Sequence, residues 1–275
     1  MAIITIYQGA SGSGEELADA VAQSLGYGCV GRELLIQTSL KYGISQAKLN
    51  EIDEAGPSWW ERFVQNLQPY RIALTASLCE IIEAEGHSGL VYHGHIGHEL
   101  LPNFNHVLKV LLTAPLETRI EQVRERQNLK FTAARRYVEE IDKARSRRLH
   151  AMFGADWRDS SRFDMVVNME RLSIHAAKHL IVEAARLPEY QTNPASQQAF
   201  ADFSLASRVH AALVMSADFS QSSFDIKAND GSVDVTGALP TWLAEDRVVE
   251  KIKQIPGVKN VRADFVNAPD MIFGE

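Results

Sequence analysis

The sequence predicts an α/β fold, in which a parallel sheet covered by helices on both faces is followed by a smaller α+β unit. Two observations carry this reading. Short β-rich apolar runs alternate with helical patterns through the first two-thirds of the chain. Beyond a polar stretch with two prolines, an αββαβ pattern with a hairpin turn takes over.

The candidate buried strands are Ile3–Tyr7, Gly89–His93, Val107–Leu112 and Phe163–Asn168. Their near-continuous apolar character suits strands buried on both faces. Helical patterns lie between them at about 15–25, 32–42, 58–85 (interrupted near Pro69), 116–127, 132–152 and 173–186. Ligands of such sheets bind beyond the carboxyl ends of the strands, and the Gly-rich segment after Tyr7 lies at one of them. The segment "LPEYQTNPASQQ" contains little that could pack, so residues 188–199 read as a linker between domains over 1–187 and 200–275. In the second domain the helix "FADFSLASRVHAALVM" precedes the strands "SFDIKA" and "SVDVTG", joined at "NDG". A helix over about 240–254 and the strand "VKNVRADFV" complete it, and "NAPDMIFGE" reads as a loose tail.

An apolar content of 45% with 23% charged residues is that of an ordinary soluble globular protein. No run approaches the roughly 18 apolar residues of a membrane span. The start of the chain lacks the pattern of a secretory signal, and Cys29 and Cys79 have no metal-type spacing. A cytoplasmic setting is therefore the expectation. The net charge of −7 argues against a nucleic-acid partner.

The segment Gly9-Ala10-Ser11-Gly12-Ser13-Gly14 follows the first strand and opens a helix, as a phosphate-binding loop does. Such a loop reads G-x-x-x-x-G-K-[ST], with the Lys on the phosphates and the hydroxyl on Mg²⁺. Here Glu15 and Glu16 stand at those two places. A carboxylate about 4 Å from a phosphate charge costs on the order of 4 kcal/mol at an effective dielectric of 20. A competing reading makes Ser13-Gly14-Glu15-Glu16 an S-x-x-E capping box that closes the helix with its own side chains.

The stretches "IITIYQGASGSGEELADAVAQSLGYGCVGRELL", "LKVLLTAPLETRIEQVRER" and "EEIDKARSRRLHAMFGADWRDSSRFDMVVNMERLSI" resemble the cytidylate kinase-like family of P-loop nucleoside monophosphate kinases. The resemblance covers residues 1–186 and implies a five-stranded parallel sheet, ATP with Mg²⁺ on the opening loop, a monophosphate acceptor opposite and a mobile lid. It assigns Gly9, Ser11, Gly12, Ser13, Gly14, Glu15 and Glu16 to the nucleotide loop. Glu16 fits the family's pattern, whereas Glu15 replaces a cation. "NDGSVDVTGALP" and "IPGVKNVRADF" are similar to a BON domain over 201–266. That resemblance implies an interaction module, with a protein or small ligand as partner and membrane contact as the weaker option. Its seven Lys/Arg against nine Asp/Glu give no evident attraction to anionic lipid.

Where the family carries Asp-Arg near the acceptor, this chain has Gly31-Arg32, and His95 stands in place of a phosphate-holding Arg. An imidazole lacks the guanidinium fork. His93, His95 and His98 also admit a metal reading against one of site-lining or packed histidines. Between 124 and 148, nine Lys/Arg face four acids, and Asp142 and Arg145 match the family's D-x-x-R lid signature. On this reading Asp142, Arg145 and Arg148 serve phosphoryl transfer, with Arg32, His95 and Arg124 on the substrate. The alternative is a solvated basic face paired with Glu139 and Glu140. Trp59, Trp60 and Phe63 could stack on a base or pack a helix. Three functions fit: a nucleotide-binding regulator with a degenerate loop and weak or no transfer, an active CMP-type kinase using ATP, and a scaffold acting through the second domain.

Overall fold

The computed structural model describes residues 1–9, 13–45, 67–86, 88–101, 104–219 and 222–268. The chain divides into two compact units, Met1–Leu67 with Ile81–Thr192, and Gln68–Glu80 with Asn193–Glu275. Trp59, Trp60, Phe63, Ser11 and Gly12 lie outside the described residues.

The first unit holds a parallel sheet of β1 (Ile3–Gln8), β2 (Gly28–Val30), β3 (Leu90–His93), β4 (Val107–Thr113) and β5 (Met165–Asn168), in the order β2-β3-β1-β4-β5. Four strands are those visible as apolar runs. β2, at three residues, is too short to show a period and was implied by the family resemblance alone. Ile6 of β1 lies opposite His93 of β3, so both strands end at one edge of the sheet. That edge is where the Gly-rich loop begins.

Helices α1 (Gly14–Leu25), α2 (Glu33–Tyr42), α3 (Gln68–Ala84), α4 (Gly97–Leu100), α5 (Leu116–Gln127), α6 (Phe131–Phe153) and α7 (Ile174–Ala185) follow the chain. Pro69 sits in the first turn of α3, where its missing N–H costs nothing; residues 58–66 of the expected helical stretch lie outside the described residues. Ile4, Ile6 and Val110 point to one face of the sheet and pack on Leu17 and Val21 of α1 and Ile181 of α7. Tyr7 points to the other face, is 2% exposed, and stacks on Trp157 at 5.7 Å. The α5–α6 hairpin packs Ile120 and Val123 on Ala134 and Val138. Asn128, with φ 51°, closes α5 in the left-handed conformation.

The second unit contains α8 (Pro194–Val214), β6 (Ser223–Asn229), β7 (Ser232–Pro240), α9 (Glu245–Lys253) and β8 (Asn260–Ala268). β7 is central, antiparallel to β6 and parallel to β8. Asp230 and Gly231 both have positive φ, as the tight hairpin at "NDG" requires. Val209, Leu213, Val233, Val235, Val248 and Ile252 form the core. No described helix is long and apolar enough to cross a membrane.

Two stretches differ from expectation. Residues 188–199 hold a 3-10 turn, Pro188–Tyr190, and the start of α8. Asn193 accepts a hydrogen bond from the Ser196 N–H at 2.9 Å, and Ser196 Oγ accepts one from the Asn193 N–H at 3.0 Å. With Pro194 in the first turn this is a capped helix start, so the residues that suggested a linker begin a helix. Asn267 and Ala268, taken for tail, complete β8.

Gly237 on β7 has φ 157°, and a Cβ there would collide with the Ser223 carbonyl oxygen of β6. Gly237→Ala is expected to cost about 1–3 kcal/mol through this overpacking, read as a lower urea midpoint. An unchanged midpoint would mean that the strands separate at no cost.

Candidate functional site

The carboxyl ends of β1, β2 and β3 border a cavity of about 590 Å³. Gln8 and Gly9 close β1, Gly31 and Arg32 follow β2, His93 ends β3 with His95 just beyond it, and Gly14 and Glu15 belong to the first turn of α1. Arg126 of α5 and Arg145 and Arg148 of α6 complete the wall. Four guanidinium groups thus face one carboxylate, Glu15, a net of +3 apart from the imidazoles.

A buried ion pair underlies this arrangement. Arg119 Nη1 donates to Asp142 Oδ1 at 2.9 Å and Oδ2 at 2.7 Å, and both side chains are almost wholly buried. Gly9 rests against it, since a Cβ there would lie 3.2 Å from Arg119 Nη1. Arg145 Nη1 donates to the Gln8 carbonyl at 3.0 Å. Helix α6 is therefore tied to the end of β1 through a side-chain pair and a backbone acceptor. Asp142, expected to serve phosphoryl transfer, does not line the cavity; its carboxylate holds Arg119 beneath the loop. Arg145 and Arg148 do line it.

The Ser13/Glu16 capping box does not form. Ser13 has helical backbone angles (φ −91°, ψ −2°) and makes no side-chain bond to the helix. Its Oγ instead accepts from Gln8 Nε2 at 3.1 Å, and a Cβ at Gly14 would collide with the Gln8 carboxamide. The amide of Gln8 thus lies across the helix terminus that would otherwise receive a phosphate. Glu15 lines the cavity, whereas Glu16 is exposed and does not.

The described residues do not fit the triphosphate end of Mg²⁺·ATP. Glu15 stands where the lysine belongs and Glu16 where the metal-binding hydroxyl belongs. Among the described residues no group of three His, Cys, Asp or Glu could hold a metal ion. His95 and His98 both lie edge-on to Tyr7, at 6.1 and 5.2 Å between ring centroids, and His98, 2% exposed, stacks on Phe163 at 4.7 Å, as packed histidines do.

A Cβ at Gly31 would meet the far end of the His93 imidazole, so an acid at this position requires His93 to turn aside. The Gly31 N–H donates to Glu33 Oε2 at 2.8 Å. Backbone N–H groups, its own and that of Gly31, hold the Glu33 carboxyl below the usual range. His95 Nδ1 is buried without a hydrogen-bond partner. Burial first, and then Arg145 and Arg148, push the His95 imidazole well below its ordinary value, so it is neutral at pH 7.

Arg124, expected on the substrate, is exposed, pairs with Glu121 at 2.8 Å and does not line the cavity; Arg126 does, being on another side of α5. Arg135–Glu139 and Arg136–Glu140 are exposed pairs at helical spacing, so the solvated-face reading holds for these two arginines. Sequence reasoning missed Gln8 and Arg119, and had Arg126 only as one of the nine Lys/Arg between 124 and 148. For Arg119 a signal existed: Leu116, Arg119, Ile120 and Val123 occupy one helical face at i, i+3, i+4 and i+7, and a charge on an apolar face calls for a buried partner.

A parallel sheet with a Gly-rich loop at its central strand end and arginines from a helical hairpin over it defines a nucleotide-kinase fold. The model of the cytidylate kinase-like family matches residues 3–171, and the chain belongs to that family; the BON domain model matches residues 201–269. Cytidylate kinase of Sulfurisphaera tokodaii is 26% identical over 211 residues, which are 76% of this chain and 100% of that protein. Cytidylate kinase of Methanopyrus kandleri is 34% identical over 86 residues, 31% of this chain and 44% of the relative. Among solved structures, an uncharacterised protein from Eubacterium ventriosum aligns with TM-score 0.49 at 16% identity, covering 67% of this chain and 97% of that one. Shikimate kinase from Bacteroides thetaiotaomicron aligns with TM-score 0.41 at 14% identity, covering 68% and 99%.

Asp142→Ala would leave the Arg119 guanidinium buried and unpaired, at an expected cost of about 3–5 kcal/mol in urea denaturation. The double variant Arg119→Met with Asp142→Leu should recover most of that loss. A single variant as stable as wild type would show that the pair does not anchor the loop.

Proposed function

We propose that the first unit binds a nucleotide or another phosphorylated small molecule in the arginine-lined cavity, with weak or no phosphoryl transfer, and serves a regulatory role. The observation that supports this is the charge layout. Arg32, Arg126, Arg145 and Arg148 gather around the cavity, while Glu15 occupies the place of the cation that transfer from ATP needs. Charge-assisted bonds from guanidinium to phosphate contribute about 1.5–3 kcal/mol each. Three or four of them total roughly 4.5–12 kcal/mol, which reaches the millimolar range for a monophosphate after several kcal/mol of immobilisation. The triphosphate of ATP would instead meet Glu15 and the Gln8 carboxamide. The setting we propose is the cytoplasm, and the BON domain is the element suited to a protein or small-ligand partner.

A second reading, an active ATP-dependent CMP-type kinase, is favoured by the identity with the Sulfurisphaera tokodaii cytidylate kinase across that protein's whole length. It needs the cavity arginines to replace the missing lysine.

Calorimetry with CMP, ADP and ATP on wild type and Glu15→Lys separates the contributions. CMP is expected to bind wild type more tightly than ATP. Glu15→Lys is expected to gain at least about tenfold in ATP affinity, as removing a few kcal/mol of repulsion implies. No gain would refute the role given to Glu15.

A further inference from the structure

A second cavity, of about 850 Å³, lies in the first unit and shares no lining residue with the first. Val107, at the start of β4, and Asp164, just before β5, border it, so it sits towards the amino ends of these strands, opposite the phosphate cavity. Its volume is that of a small-molecule site.

We propose that this cavity binds a small organic ammonium ion carrying an apolar or aromatic group. The lining supplies Lys109 and Arg162 against Glu99, Asp164 and Glu189. Arg162 Nη1 is held by Glu99 Oε1 at 2.6 Å. Lys109 lies in the field of both Glu99 and Asp164. Both cations are thereby compensated, and Glu189, which has no ion-pair partner among the described residues, leaves the site one negative charge over. Phe104, Phe163 and Tyr190 offer aromatic faces, the surfaces an organic cation favours.

His98 provides an independent pointer. It lines the cavity, is 2% exposed, and neither ring nitrogen has a hydrogen-bond partner. Nε2 stands 3.6 Å from Glu99 Oε1. With the Nε2 proton assigned towards that carboxylate, Nδ1 is left as a buried acceptor without a donor. A buried acceptor without a donor is costly, and a bound ligand relieves that cost. Burial, with Lys109 and Arg162 nearby, pushes His98 down to about 3, so it accepts rather than repels a cation through its lone pair at neutral pH. Burial also lowers the Lys109 amine and raises the Tyr190 phenol. Three shifted groups in one cavity fit a binding site better than a surface crease.

Phenethylammonium and its anionic counterpart, 3-phenylpropanoate, titrated calorimetrically into the full chain at pH 7.5, test the assignment. Saturable binding of the amine alone is expected. Glu189→Gln, a change at an exposed position, and His98→Phe, which keeps a ring against Phe163, should each weaken it at least about tenfold. If His98→Phe does not fold, Glu189→Gln decides alone. Binding of the carboxylate in preference to the amine, amine binding insensitive to Glu189→Gln, or no amine binding would each overturn the proposal.

Discussion

The site depends on one buried ion pair, Arg119 with Asp142. Two charges taken out of water gain little net stability, so the pair is better understood as a positional constraint than as an adhesive. It fixes α6 against α5 directly beneath Gly9, where a Cβ would lie 3.2 Å from Arg119 Nη1 and press on the pair. Once α6 is in that position, Arg145 reaches the Gln8 carbonyl and Arg148 faces the cavity. Residues that line the cavity are thus placed by a pair that does not line it.

The departures from the kinase pattern are coupled in space. Gly31 and His93 form one steric unit, in which the imidazole fills the room that an acid's Cβ would need. Gln8, Ser13 and Gly14 form another, with the carboxamide across the helix terminus. Glu15 adds a negative charge at the mouth of a cavity that is otherwise positive. On the proposed reading these changes act against a nucleoside triphosphate, while Arg126, Arg145 and Arg148 remain on the cavity wall.

Much of the architecture was legible in the sequence because strand burial and helical periodicity are local signals. The four apolar strands, the α5–α6 hairpin and the Asp230-Gly231 turn all follow from short-range pattern. β2 was not, being shorter than any period. The stretch 188–199 holds both the boundary between the two units and a helix start, because Pro194 and the Asn193/Ser196 pair serve equally to break a chain and to start a helix. At the cavity, residue types name candidates, but orientation decides which of them line it. Asp142 turns to Arg119 and Arg124 to Glu121, whereas Arg126 faces the cavity. A sequence reports which charges exist on a helix, and packing determines which of them meet a ligand.

The central claim, phosphate recognition without effective transfer, is tested most directly by phosphorus NMR of the full chain with CMP, ATP and Mg²⁺. The account predicts that the CMP resonance shifts saturably with protein concentration while CDP stays at the level of a protein-free control. Accumulation of CDP well above that control, or a CMP resonance that does not move, would contradict it.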